Sequence, residues 1–70
     1  MVQIERVTER TAKGCKCDML ISTVAELPAM NSSVYGIKIL AGSKAYIIQA
    51  DMWCTLDSDG KWYSGGEEVN

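Results

Sequence analysis

Three cysteines, Cys15, Cys17 and Cys54, are the residues of this 70-residue chain with the widest chemical reach. A thiolate metal centre generally takes four ligands, often with a C-x₂-C spacing. Cys15 and Cys17 form a C-x-C pair, and the sequence contains no histidine. A zinc site within one chain is therefore incomplete, unless a symmetric neighbour completes it. C-x-C is also shorter than the C-x-x-C loop of redox proteins. The odd count argues against a full disulfide framework. The favoured reading is structural thiols, with Cys54 packed in a strand as a small hydrophobe. A shared metal or an intersubunit disulfide stays open for the C-x-C pair.

The other chemical constellations weaken when their spacing is examined. Asp57-Ser58-Asp59-Gly60 begins like a calcium loop, but Lys61 and Trp62 stand where a ligand and a glycine are needed. A hairpin turn with exposed acids explains it better. Asp18, Glu26, Asp51, Asp57 and Asp59 show no spacing that singles out a hydrolytic pair. Gly60, Gly65 and Gly66 lack the spacing of a phosphate loop. Without histidine, serine–histidine and cysteine–histidine nucleophile systems cannot form in one chain. The expectation is a protein that is not an enzyme and carries no cofactor or resident metal.

Size and charge narrow the class further. A 70-residue domain buries only about 60% of the surface of its unfolded chain, so it commonly relies on a staple or a partner. Nine acidic residues outnumber seven basic ones, giving a net charge of −2. Nucleic-acid binders normally carry a basic face. Four of the basic residues, Arg6, Arg10, Lys13 and Lys16, lie near the start, where a solvated surface accounts for them. Nucleic acid is not an expected partner. No apolar run approaches the roughly 18–20 residues that cross a bilayer. The opening Met1-Val2-Gln3-Ile4-Glu5-Arg6 lacks the order of a signal peptide, so neither membrane nor export is expected.

The elements that would position these residues are mostly strands. The expected fold is mainly β: a small antiparallel meander or β-barrel-like domain with one short helical turn and an extended N-terminal arm. Val2 and Ile4 alternate with Gln3 and Glu5, as in a half-buried strand, and the pattern fades after Val7. Residues 1–17 are read as an arm or edge strand, 18–64 as the β domain and 65–70 as a flexible acidic tail. Thr23 and Glu26 fit a capping box, and Pro28 limits the helix to one or two turns. Tyr35 to Leu40 reads as an apolar run broken by Gly36, and strands follow at about 44–50, 52–56 and 61–64. Asp59-Gly60 marks the last hairpin. Tyr46, Ile48 and Ala50 would share one face; Met52, Cys54 and Leu56 would share another, opposite Trp53. With apolar residues on both faces, one face packs on the core and the other meets a partner.

Aromatic residues are the candidate contact points. Trp53 and Trp62 are expected as cross-strand neighbours over the Asp-Gly turn. Tyr46, Trp53, Trp62 and Tyr63, with Val2 and Ile4 of the arm, form the expected interface, because tryptophan and tyrosine concentrate at binding hot spots. Core filling and a sugar-stacking platform are the competing roles for the aromatics.

The stretches Thr23-Val24-Ala25-Glu26-Leu27-Pro28, Gly42-Ser43-Lys44-Ala45-Tyr46 and Thr55-Leu56-Asp57-Ser58-Asp59-Gly60-Lys61-Trp62 carry a resemblance. Together they resemble small phage and prophage virion proteins of Gram-positive bacteria, of the head-decoration, head-fibre or tail-associated type. Cys15, Cys17, Cys54 and the N-terminal arm depart from that pattern. The resemblance implies a non-enzymatic virion structural protein, made in the bacterial host cytoplasm, that docks on a capsid or tail lattice. Its partners would be other virion subunits, and it would be a homo-oligomer whose arm extends across a neighbour. A carbohydrate-binding module of a fibre or tail tip, and a small intracellular regulatory binding protein, are the alternatives.

Overall fold

In the computed structural model, which describes residues 1–69, the chain is mainly β. The strands are β1 (Val2–Thr11), β2 (Gly14–Ile21), β3 (Ser33–Val34), β4 (Ile37–Lys38), β5 (Lys44–Ile47), β6 (Met52–Leu56), β7 (Trp62–Ser64) and β8 (Glu67–Glu68). Six of them form one sheet in the order β1-β2-β5-β6-β7-β8, and β3 pairs with β4 in a separate hairpin. All pairs in the large sheet are antiparallel except β2 with β5. The expected meander is present as β5 to β7, β8 extends it by one strand, and β1–β2 is a second hairpin joined to it by that parallel pair. The sheet is open, with β1 and β8 as its edges.

A parallel pair requires a crossover, and residues 22–43 supply it. They hold a 3₁₀ helix (Val24–Met30) and the β3–β4 hairpin. Leu27, Met30, Val34 and Ile39 of this crossover join the core residues of the sheet's inner face: Cys17, Met19, Ile21, Ala45, Ile47, Cys54, Leu56 and Trp62. The crossover is thus the second layer that a one-sided sheet needs. The expected helical turn starts where Thr23 and Glu26 placed it. Glu26 Oε1 accepts the backbone N–H groups of Ser22 and Thr23, each at 3.2 Å. The helix is 3₁₀ and continues through Pro28 to Met30.

Several segments differ from the sequence expectation. The boundary expected between residues 17 and 18 falls inside β2, because the apolar Cys15, Cys17, Met19 and Ile21 alternate with Lys16, Asp18 and Leu20 across it. Of the two forms expected for the start of the chain, arm or edge strand, β1 takes the second: it pairs along its length with β2 of the same chain and lies at the edge of the sheet. Tyr35 and Gly36 both take positive φ, 52° and 77°, so the 35–40 run begins as a two-residue hairpin turn and leaves only Ile37–Lys38 in β4. The strand expected at 44–50 ends at Ile47, where the chain turns to Asp51 at φ 50°. Glu67–Glu68 of the expected tail pairs with Tyr63 and Ser64, and Val69 N–H donates to Trp62 O at 2.8 Å. Asn70 lies outside the described residues.

One buried polar side chain ties the layers. Ser43 Oγ accepts the Cys17 N–H at 3.1 Å and donates to Leu40 O at 2.8 Å. It links β2 to the end of the crossover at the point where the parallel pair begins. Among the described residues, no helix is long and apolar enough to cross a membrane.

Candidate functional site: the outer face of the sheet

The ladder register sorts the side chains into rows that run across the strands. On the inner face, Val2, Ile21, Ile47 and Met52 are consecutive partners, as are Ile4, Met19, Ala45 and Cys54. On the outer face one row is Gln3, Leu20, Tyr46 and Trp53. The next is Arg6, Asp18, Lys44, Thr55, Tyr63 and Glu68. The outer face therefore carries an aromatic row beside a charged one, and among the described residues no element covers it.

Trp53 is the centre of this face. Its side chain is 54% exposed, and its ring lies 5.3 Å from that of Tyr46 at an interplanar angle of 55°. The Tyr46 hydroxyl donates to Asp51, and that bond pushes the phenol's pKa up. Ile48, just past the end of β5, is also exposed. Arg6 and Asp18 form an ion pair at 2.9 Å in the charged row. Beside it, Arg6, Asp18, Lys44, Trp53 and Thr55 line an open depression of ≈ 380 Å³. At the far end of the row, Tyr63 donates to Asp59 Oδ2 at 2.5 Å, which holds the Asp59 carboxyl below its usual value.

The six sequence-derived interface residues separate by face. Tyr46, Trp53 and Tyr63 lie on the outer face, as the rows show. Trp62 does not join them: its partner is Leu56, an inner-face residue, and it is 2% exposed. Trp53 stands three positions before Leu56, so strand alternation places the two tryptophans on opposite sides. Trp62 is a core residue and cannot anchor a partner. Its indole Nε1–H is buried without a hydrogen-bond acceptor among the described residues. Val2 and Ile4 are also inner-face residues, half-buried against the core cluster. Leu20, Lys44, Arg6 and Glu68 are among the face residues that sequence reasoning missed. The alternation of β2 was the signal for Leu20, since it falls between the apolar Met19 and Ile21.

The thiols are placed for packing. Cys17 and Cys54 are buried, and burial is the leading cause that pushes both thiols up, away from the reactive thiolate. Cys15 is half-buried and alone within reach of a neighbour. Among the described residues, no group of three or more cysteines and carboxylates is placed to hold a metal ion. Asp57 and Asp59 serve the β6–β7 turn, accepting the Ser58 and Lys61 backbone N–H groups at 2.7 and 2.9 Å.

No family model matches the chain, and no curated protein or solved structure is significantly similar to it.

Proposed function

We propose that this protein is a non-enzymatic structural subunit of a phage particle, which binds other protein subunits through the outer face of its sheet. The single observation that carries the binding role is Trp53, more than half exposed beside Tyr46 and Leu20 on three hydrogen-bonded neighbouring strands. Exposed aromatics on fixed backbone make strong contact points because little freedom remains to be lost on binding. The particle setting draws on the resemblance carried by residues 23–64. A glycan platform is less well supported: sugar stacking favours aromatics that share a plane, whereas Tyr46 and Trp53 are tilted by 55° and Trp62 is enclosed.

The test uses particles purified from cells carrying the gene. The wild-type chain is expected in them, and a Trp53→Ser variant of unchanged denaturation midpoint is depleted by about tenfold or more. Absence of the wild-type chain from purified particles refutes the particle setting. Full incorporation of the variant refutes the role of the outer face.

A further inference from the structure

We infer that the subunit seated on this face is a second copy of the same chain, stacked sheet on sheet about a two-fold axis. The axis runs parallel to the strands, between β5 and β6. This rests on reading the outer face as a subunit interface, and it names the occupant.

The register makes the case. β5 and β6 are the third and fourth of six strands, so the axis at the sheet's midline lays β1 over β8, β2 over β7 and β5 over β6 of the second copy. In the aromatic row, Tyr46 then meets Trp53 of the second copy and Trp53 meets its Tyr46, which puts four aromatic rings at the centre. In the charged row, Arg6 lies over Glu68 of the second copy, Asp18 over its Tyr63 and Lys44 over its Thr55. The symmetric half repeats these pairs. No like charges oppose one another, and the two outermost positions are complementary. Arg6 is already paired with Asp18 at 2.9 Å and Glu68 lies 3.9 Å from Lys61, so the contact across the copies joins two existing ion pairs.

Other in-plane two-fold axes fit less well. An axis along the charged row sets Arg6 over Arg6, Asp18 over Asp18 and Lys44 over Lys44. An axis between the two rows sets Leu20 over Asp18 and strands its carboxylate on an apolar side chain. Of these three axes, the midline one buries aromatic on aromatic and pairs the rim.

The contact is small. Five strand spacings of about 4.8 Å make the sheet about 24 Å wide, in keeping with the 23 Å second extent of the molecule. A face of that width and two rows falls short of a standard interface of about 800 Å² per partner. Dimerisation is therefore reversible and depends on concentration.

Two charge reversals, Arg6→Glu and Glu68→Arg, test the arrangement by sedimentation equilibrium. Each variant alone sets like charges at both rims and weakens self-association by about tenfold. Mixed in equal amounts, the two restore both rim pairs, and the hetero-dimer is expected to recover wild-type strength. Thermal melts check that each variant is folded, and Glu68→Arg, on the short exposed edge strand, is the safer of the two. A mixture no stronger than either variant alone overturns the inference, as does a closed trimer or hexamer. A wild-type chain that stays monomeric yet enters particles overturns the second copy and leaves the proposed function standing. A wild-type dimer absent from particles does the reverse.

Discussion

Deleting one residue from the middle of the longest strand is expected to leave the fold intact. Between the pairs Ile4–Met19 and Arg6–Asp18, Glu5 is an extra residue in β1; between Val7–Cys17 and Glu9–Lys16, Thr8 is another. These bulges keep Val2, Ile4 and Val7 on the inner face although their spacing is two and then three. Without Glu5, the chain reads Val2-Gln3-Ile4-Arg6-Val7 and the pairs from Val2 to Val7 are kept in a regular ladder. The exposed Glu5 side chain receives a hydrogen bond, among the described residues, only from the Gln3 amide, so its loss is expected to cost no more than about 1 kcal/mol. Deleting Ile4 instead moves Glu5 opposite Met19 on the inner face. That removes a half-buried aliphatic side chain, about 2 kcal/mol at the low end for such losses, and sets a carboxylate against the core at a further cost of about 2 kcal/mol or more. At about 0.05–0.15 kcal/mol per residue, 70 residues give a stability of about 3.5–10 kcal/mol. The Ile4 deletion therefore removes much of the margin and the Glu5 deletion little of it. Urea denaturation followed by circular dichroism reads both. Equal losses from the two deletions would refute this register and the role of Glu5 as a bulge.

Two further substitutions probe the core and the far end of the charged row. Ser43→Ala strips the Cys17 N–H of its buried acceptor, while Leu40 C=O keeps the backbone N–H of residue 43 at 3.2 Å, and the change is expected to lower unfolding free energy by about 1–3 kcal/mol, read by the same denaturation assay. Tyr63, donating to Asp59, has its phenol pushed up to about 12, and the same bond holds Asp59 below its ordinary value. A carboxyl lowered by folding adds stability that is fully present above its unfolded value of about 4 and lost as pH falls through the folded one. Asp59→Asn is expected to flatten that acid limb and return the phenol towards about 10, read by ultraviolet absorbance against pH.

The elements most legible in the sequence were those whose pattern is local. The Asp59-Gly60 turn and the alternation of 52–56 located β6 and β7, because a hairpin is specified by its turn and its period. Thr23 and Glu26 located the helix start for the same reason. The parallel pairing of β2 with β5 was not legible, since nothing near residue 20 signals a partner more than twenty residues later. β2 itself was obscured because Cys15 and Cys17 drew attention as possible ligands, while their place in the period-two series with Met19 and Ile21 is plain once the strand is seen. Trp62 was misplaced by treating two tryptophans across a turn as neighbours. The five-residue link from Asp57 to Lys61 sets Trp62 against Leu56, and the face follows from that pairing.

The two ways in which this sheet could meet another chain are not equally open. β1 offers ten residues of free edge, which would ordinarily template another strand. It carries Glu5, Arg6, Glu9 and Arg10, and its bulges at Glu5 and Thr8 break the spacing that an incoming strand would need. The opposite edge, β8, is two glutamates long. Both edges thus resist strand addition, and an edge-extended arm is not the route the geometry favours. The aromatic row of the outer face has no such guard: Leu20, Tyr46 and Trp53 run across three neighbouring strands without a charge among them. Edge pairing propagates into open-ended assemblies, whereas a two-fold face contact closes after two copies. Blocked edges beside an uncovered aromatic row therefore favour the proposed face contact over strand addition, with Trp53 at its centre.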